Sequence, residues 1–179
     1  MTQRQKFIRW YVRPFNRLKR VKNGDAAYVA LTIGFSLCER YYRIRSNTIT
    51  DYRKTVPFLT AAARDFNCDV HLFQVFWSIF RNGIQHQGSP KKKYKANWLP
   101  NKPEVRINWA IGSDFSHRPA YIITDHIKRI GVDPWKFTRF VLCKFLSDPR
   151  SLERSISHAF GSILTQPQKP PRIIEIPFR

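Results

Sequence analysis

Arg81, Asn82 and His86 are the residues of this chain best suited to do chemistry together. An arginine holds a phosphate through a planar fork of N–H donors. A histidine gives and takes protons near neutral pH. The asparagine amide can fix an imidazole ring or a phosphate oxygen. On one helix Asn82 and His86 lie four residues apart and touch, with Arg81 along the same polar edge. These three types suit metal-free cleavage of RNA. A ribose 2′-OH loses its proton and attacks the adjacent phosphate, and the guanidinium stabilises the charge that develops. No metal and no cofactor is expected. His71, His117, His126 and His158 read as surface or structural histidines rather than metal ligands. Cys38, Cys68 and Cys143 form no CxxC pair, and no Gly-rich phosphate loop occurs.

The surroundings of this group are basic. The 179 residues hold 32 Lys and Arg against 12 Asp and Glu, a formal charge of +20. No acid occurs between Asp69 and Glu104, nor in the first 24 residues. Such a balance implies a polyanionic partner, nucleic acid first. Lys91, Lys92, Lys93 and Lys95 read as phosphate contacts and Tyr94 as a platform for stacking a base, with a solvated loop as the plain alternative. At 42% hydrophobic and 15% aromatic, the chain is too apolar for a disordered basic tail. The longest apolar stretch, Ala26 to Cys38, is too short to span a bilayer. The opening residues carry Arg4, Lys6, Arg9, Arg13, Arg17, Lys19 and Arg20 without the apolar run of a signal peptide. A soluble, cytoplasmic single domain over 1–179 is expected, with a helical core over about 1–90 and a basic loop and C-terminal extension over about 91–179.

The elements that must position the site follow from local signals. Residues 4–20 read as a basic amphipathic segment that Pro14 kinks or breaks. Asn23-Gly24 reads as a turn and Asp25 as an N-cap. Residues 26–45 form a helix whose first half is apolar nearly all round, so it belongs at the centre of a bundle, with Cys38 as a small hydrophobe. Asn47 to Phe66 is a second helical stretch, interrupted near Pro57. Asp69 caps a third, opening at Val70, whose Phe73, Phe76, Trp77 and Phe80 make a core stripe. Lys91 to Pro103 is a basic loop. Val105, Ile107 and Trp109 alternate with polar residues as a half-buried strand does. Helices are expected from Pro119 to Gly131, from Asp133-Pro134 and from Asp148-Pro149. Ile173, Ile174 and Ile176 suit a short strand beside Val105–Trp109.

The run Arg81-Asn82-Gly83-Ile84-Gln85-His86 resembles the signature of the HEPN superfamily, the higher eukaryotes and prokaryotes nucleotide-binding domains: Arg, a polar residue that is often Asn, variable positions, then His. The aromatic helix before it and Gln87-Gly88 after it are similar to the family too. The resemblance spans roughly residues 25–90 and implies a mainly α, antiparallel helical bundle, here followed by a C-terminal extension with one or two short strands and further helices. It implies a metal-independent endoribonuclease acting on single-stranded RNA, of the kind found in toxin and defence systems, with an antitoxin or other protein partner. It also implies a homodimer whose two motifs meet in one composite site, with Arg81, Asn82 and His86 as the carried-over residues. Some toxin members carry a modifiable Tyr two residues after the His; this chain has Gly88 there. Some members are inactive binding modules, so a non-catalytic nucleic-acid-binding or scaffolding protein is the rival reading. Docking to a membrane surface through residues 4–20 is a third.

Overall fold

Local capping chemistry sets most of the helices in the computed structural model, which describes residues 1–21, 26–51, 53–94, 105–124 and 127–160. Thr2 opens α1 (Gln3–Phe7) with a capping box, its hydroxyl accepting from the Gln5 N–H while the Gln5 side chain accepts from the Thr2 N–H. The helix continues through a π turn, Ile8–Val12, into α2 (Arg13–Leu18). Pro14 therefore does not break it. The wider turn carries the Arg13 N–H back to the Ile8 carbonyl and rearranges the bonds that proline would otherwise interrupt. The turn expected at Asn23-Gly24 and the cap at Asp25 lie outside the described residues.

The central helix is α3 (Ala27–Arg45), buried around most of its circumference through Ala30, Leu31, Gly34, Phe35, Leu37, Cys38, Tyr41 and Tyr42. α4 (Val56–Asp65) packs beside it. Pro57 does not interrupt a longer helix here. It sits in the first turn of α4, where its missing N–H costs nothing, and the residues before it form turns. Asp69 caps α5 (Val70–Phe76), accepting from the N–H groups of His71 and Leu72. That helix runs on through a second π turn, Trp77–Arg81, into α6 (Asn82–Gln87), and Gly88 ends it at φ 71°. Phe73, Phe76, Trp77 and Phe80 are all buried.

The second half of the chain differs most from expectation. β1 (Lys93–Tyr94) pairs antiparallel with β2 (Val105–Arg106). β3 (Asn108–Ile111) lies parallel to β5 (Ile127–Val132), which is antiparallel to β4 (Ala120–Thr124). The single strand expected over Val105–Trp109 is thus divided between two sheets, and the helix expected from Pro119 to Gly131 is two strands. The run Tyr121-Ile122-Ile123-Thr124 is aromatic and β-branched, which favours the pleated state. Among the described residues five strands stand where one or two were expected. The segment around Ile173, Ile174 and Ile176 lies outside the described residues; β5 pairs with β3.

α7 (Pro134–Ser147) and α8 (Pro149–Phe160) begin where the Asp-Pro pairs place them, with Asp133 accepting from the Trp135 and Lys136 N–H groups and Asp148 from that of Ser151. α7 lies so close to α3 that a Cβ on Gly34 would overlap Thr138, whose hydroxyl donates to the Ala30 carbonyl at 2.7 Å. Phe35 meets Phe76, Trp77 and Phe137 at ring-centroid distances of 5.2, 5.5 and 5.0 Å. Phe137, Val141 and Phe145 therefore belong to the same core as the earlier helices. The fold is mainly helical with a small sheet in its C-terminal part, and no helix among the described residues is long and apolar enough to cross a membrane.

Candidate functional site

Arg81 closes the second π turn, where the Asn82 N–H reaches back to the Trp77 carbonyl. Its guanidinium lies 5.8 Å from the Trp77 ring centroid. One terminal nitrogen donates to Glu39 Oε2 at 2.6 Å and the other to Asn82 Oδ1 at 3.0 Å. Its Nε is buried and has no hydrogen-bond partner among the described residues. The side chain is 21% exposed, so it is fixed at the rim of the bundle and still meets water.

Glu39 is the residue that sequence reasoning missed. It comes from α3, and its other oxygen accepts from Arg43 Nε at 2.9 Å. Arg43 is 4% exposed, lies 4.4 Å over the Phe58 ring, and donates to the Asp51 and Lys54 carbonyls. One carboxylate thus serves two guanidiniums, and the cluster keeps a net positive charge. The available signal was that Glu39 is the sole acid of α3, four residues before Arg43. Beside it, Tyr11, Ser36, Leu37, Arg40 and Arg43 line a cavity of about 250 Å³ that brings the N-terminal helix against this cluster.

Of the expected site residues, Arg81 and Asn82 are bonded to each other. Asn82 spends its carbonyl oxygen on Arg81 rather than on His86. The His86 side chain is exposed on α6 and makes no hydrogen bond among the described residues. The basic run is drawn against the same helix. The Lys91 N–H donates to the Ile79 carbonyl at 2.9 Å, and a Cβ on Gly83 would come within 2.6 Å of that same Lys91 nitrogen. Gly83 is therefore the position where the loop lies directly on the helix. Lys92 and Lys93 are exposed and Lys91 half-buried; the Lys92 carbonyl accepts from the Ile107 N–H, which ties the run to the strands. The Tyr94 side chain and Lys95 lie outside the described residues. His117 stacks on Phe140 at 4.6 Å, and burial, with Arg118 beside it, lowers its pKa. Among the described residues no group of three or more His, Cys, Asp and Glu side chains converges.

The chain matches no protein-family model, no curated protein and no solved structure.

Proposed function

We propose that this chain binds single-stranded RNA and cleaves it without a metal ion, in the manner of the HEPN proteins that its Arg81-Asn82…His86 run resembles. The observation that carries the reading is the fixation of Arg81 at the rim of a strongly basic molecule, five residues before an exposed histidine. Glu39 and Asn82 each occupy one N–H of the two terminal nitrogens, which leaves one N–H on each for a phosphate oxygen. His86 accepts the 2′-OH proton, the 2′ oxygen attacks phosphorus, and the 5′ oxygen leaves with a proton from a second acid. The products are a 2′,3′-cyclic phosphate and a 5′-OH. A second copy related by a two-fold axis supplies that acid as its own His86, in a dimer of about 42 kDa, twice 21.2 kDa. Such an activity suits a cytoplasmic toxin or defence nuclease restrained by a partner protein.

The test is an end-labelled single-stranded RNA incubated with the protein and excess chelator. Wild type yields cyclic-phosphate ends, while His86→Ala yields none and melts at the wild-type temperature. Undiminished cleavage by His86→Ala sinks the catalytic assignment. A second reading, binding without cleavage, draws support from the Glu39–Arg81 pair, because an arginine paired within its own protomer is also what a structural role requires.

A further inference from the structure

We infer that the solvent face of the N-terminal helix, carrying Arg9, Arg13, Arg17 and the following Arg20, is a docking surface for the phosphodiester backbone of single-stranded RNA. This rests on the RNA reading above and extends it to a surface separate from the motif helix. Arg9, Arg13 and Arg17 recur every four residues along a helix that the first π turn keeps unbroken, Arg20 follows in the turn after it, and all four are exposed. At about 1.5 Å per residue, the three on the helix stand roughly 6 Å apart along its axis. That step is comparable with the span of one nucleotide in an extended strand.

Nothing among the described residues accounts for this ridge. None of the four has an ion-pair partner among the described residues, and no acid occurs in the first 24 residues. Like charges four apart on a helix repel and weaken it. A fold that only needed solubility would meet it with mixed charge, whereas an uncompensated row of one sign suits a polyanion. The residue type agrees: every ridge position is Arg, whose planar fork grips phosphate oxygens two at a time.

The opposite face decides between RNA and a lipid surface. Phe7 and Phe15 are fully buried, Phe7 against Phe145 at 5.1 Å and Phe15 against Trp135 at 5.7 Å. Trp10, Tyr11 and Val12 pack on the same core. An interfacial membrane helix needs its apolar face for the acyl region, and here that face is already occupied by the protein. Only the cationic side is presented. The same helix reaches the candidate site on its other face, where Tyr11 lines the cavity that Glu39, Arg40 and Arg43 share.

The experiment measures binding of 2′-O-methyl oligouridine, which lacks the attacking hydroxyl, by fluorescence anisotropy across a potassium chloride series. The variants are the full chain with R9Q, R13Q and R17Q together, and its charge-preserving counterpart with R9K, R13K and R17K. Circular dichroism checks that both keep wild-type helicity. The slope of log affinity against log salt is expected to flatten by about 2 in the Gln variant, roughly 0.7 for each of three lost contacts, and to stay near wild type in the Lys variant. A wild type that binds the oligonucleotide with a slope the Gln variant leaves unchanged overturns the ridge and leaves RNA binding through the motif helix standing. A wild type that binds no oligonucleotide overturns both. Phosphatidylserine vesicles form the last arm: loss of vesicle binding in the Gln variant with oligonucleotide binding intact overturns the RNA assignment in favour of a membrane.

Discussion

Glu39→Gln is the perturbation with the most to say about how the site is held. Gln keeps the shape of the side chain and one carbonyl acceptor but removes the charge that two guanidiniums share. Removing one partner of a fully buried ion pair costs about 3–5 kcal/mol, because the other charge is left uncompensated. Two features reduce that here. Arg43 retains the Asp51 and Lys54 carbonyls and the face of Phe58, and Arg81 at 21% exposure is partly screened by water. A loss of about 2–3 kcal/mol remains, and at about 2–4 °C per kcal/mol for a chain of this size it lowers the melting midpoint by roughly 4–12 °C. Thermal unfolding followed by circular dichroism at pH 7 measures it. A double-mutant cycle with Arg81→Met isolates the pair, with an expected coupling of about 1 kcal/mol or more. A Glu39→Gln midpoint equal to wild type, or a cycle that closes additively, would refute the bridge as the anchor of Arg81.

Gly83→Ala tests the contact between motif helix and basic loop. In an open helix the change stabilises by up to about 1 kcal/mol, but here the new Cβ would sit 2.6 Å from the Lys91 nitrogen and 2.7 Å from the Ser89 carbonyl oxygen. A loss of about 1–3 kcal/mol in urea unfolding is expected, and a gain would show that the loop does not lie there. Burial pushes the Asp148 carboxyl up, but the Ser151 N–H and hydroxyl, the Arg45 guanidinium and the Tyr41 hydroxyl together hold it below the ordinary carboxylate range. Its contribution to stability is therefore full above the unfolded value of about 3.9 and fades as pH falls through the lower folded one. Asp148→Asn should melt below wild type at pH 7, with the gap closing in acid; a gap that widens in acid contradicts the assignment. Burial, with Asp69 nearby, pushes the Cys68 thiol up to about 11, Cys38 is buried, and Cys143 is exposed. Brief iodoacetamide treatment at pH 8 should give one adduct by mass spectrometry, on Cys143, and equal labelling of Cys68 would count against its burial.

What could be read from the residues was local. The caps Asp69, Asp133 and Asp148 announce their helices because a carboxylate bonds N–H groups two or three residues ahead of it. The stripe Phe73, Phe76, Trp77 and Phe80 announces a buried face by its spacing alone. Pro14 and Pro57 misled because a proline breaks a helix only where its missing N–H or its ring meets a regular α turn. One follows a π turn and the other opens a helix. Residues 120–131 misled because short apolar runs suit helix and strand alike, and the pairing of β5 with β4 and β3 is decided by tertiary contact. Within the site, the Arg81–Asn82 contact joins neighbours in sequence. Glu39, 42 positions from Arg81, leaves no local trace of that partnership.

The π turn at Trp77–Arg81 has a further consequence, which concerns the lineage of the chain. A turn of this kind holds one residue more than the α turn it replaces, and such turns recur at functional sites. Everything after it is rotated by about 100° relative to an uninterrupted helix. Phe73 and Phe76, upstream of the turn, keep their phase with the core, while Arg81 at its close takes the phase that reaches Glu39. Loss of one codon at Ser78 would rewind the helix and swing Arg81, Asn82 and His86 away together, although none of the three had changed. Substitution can weaken this constellation by degrees, but a single insertion or deletion is the event that assembles or dismantles it whole.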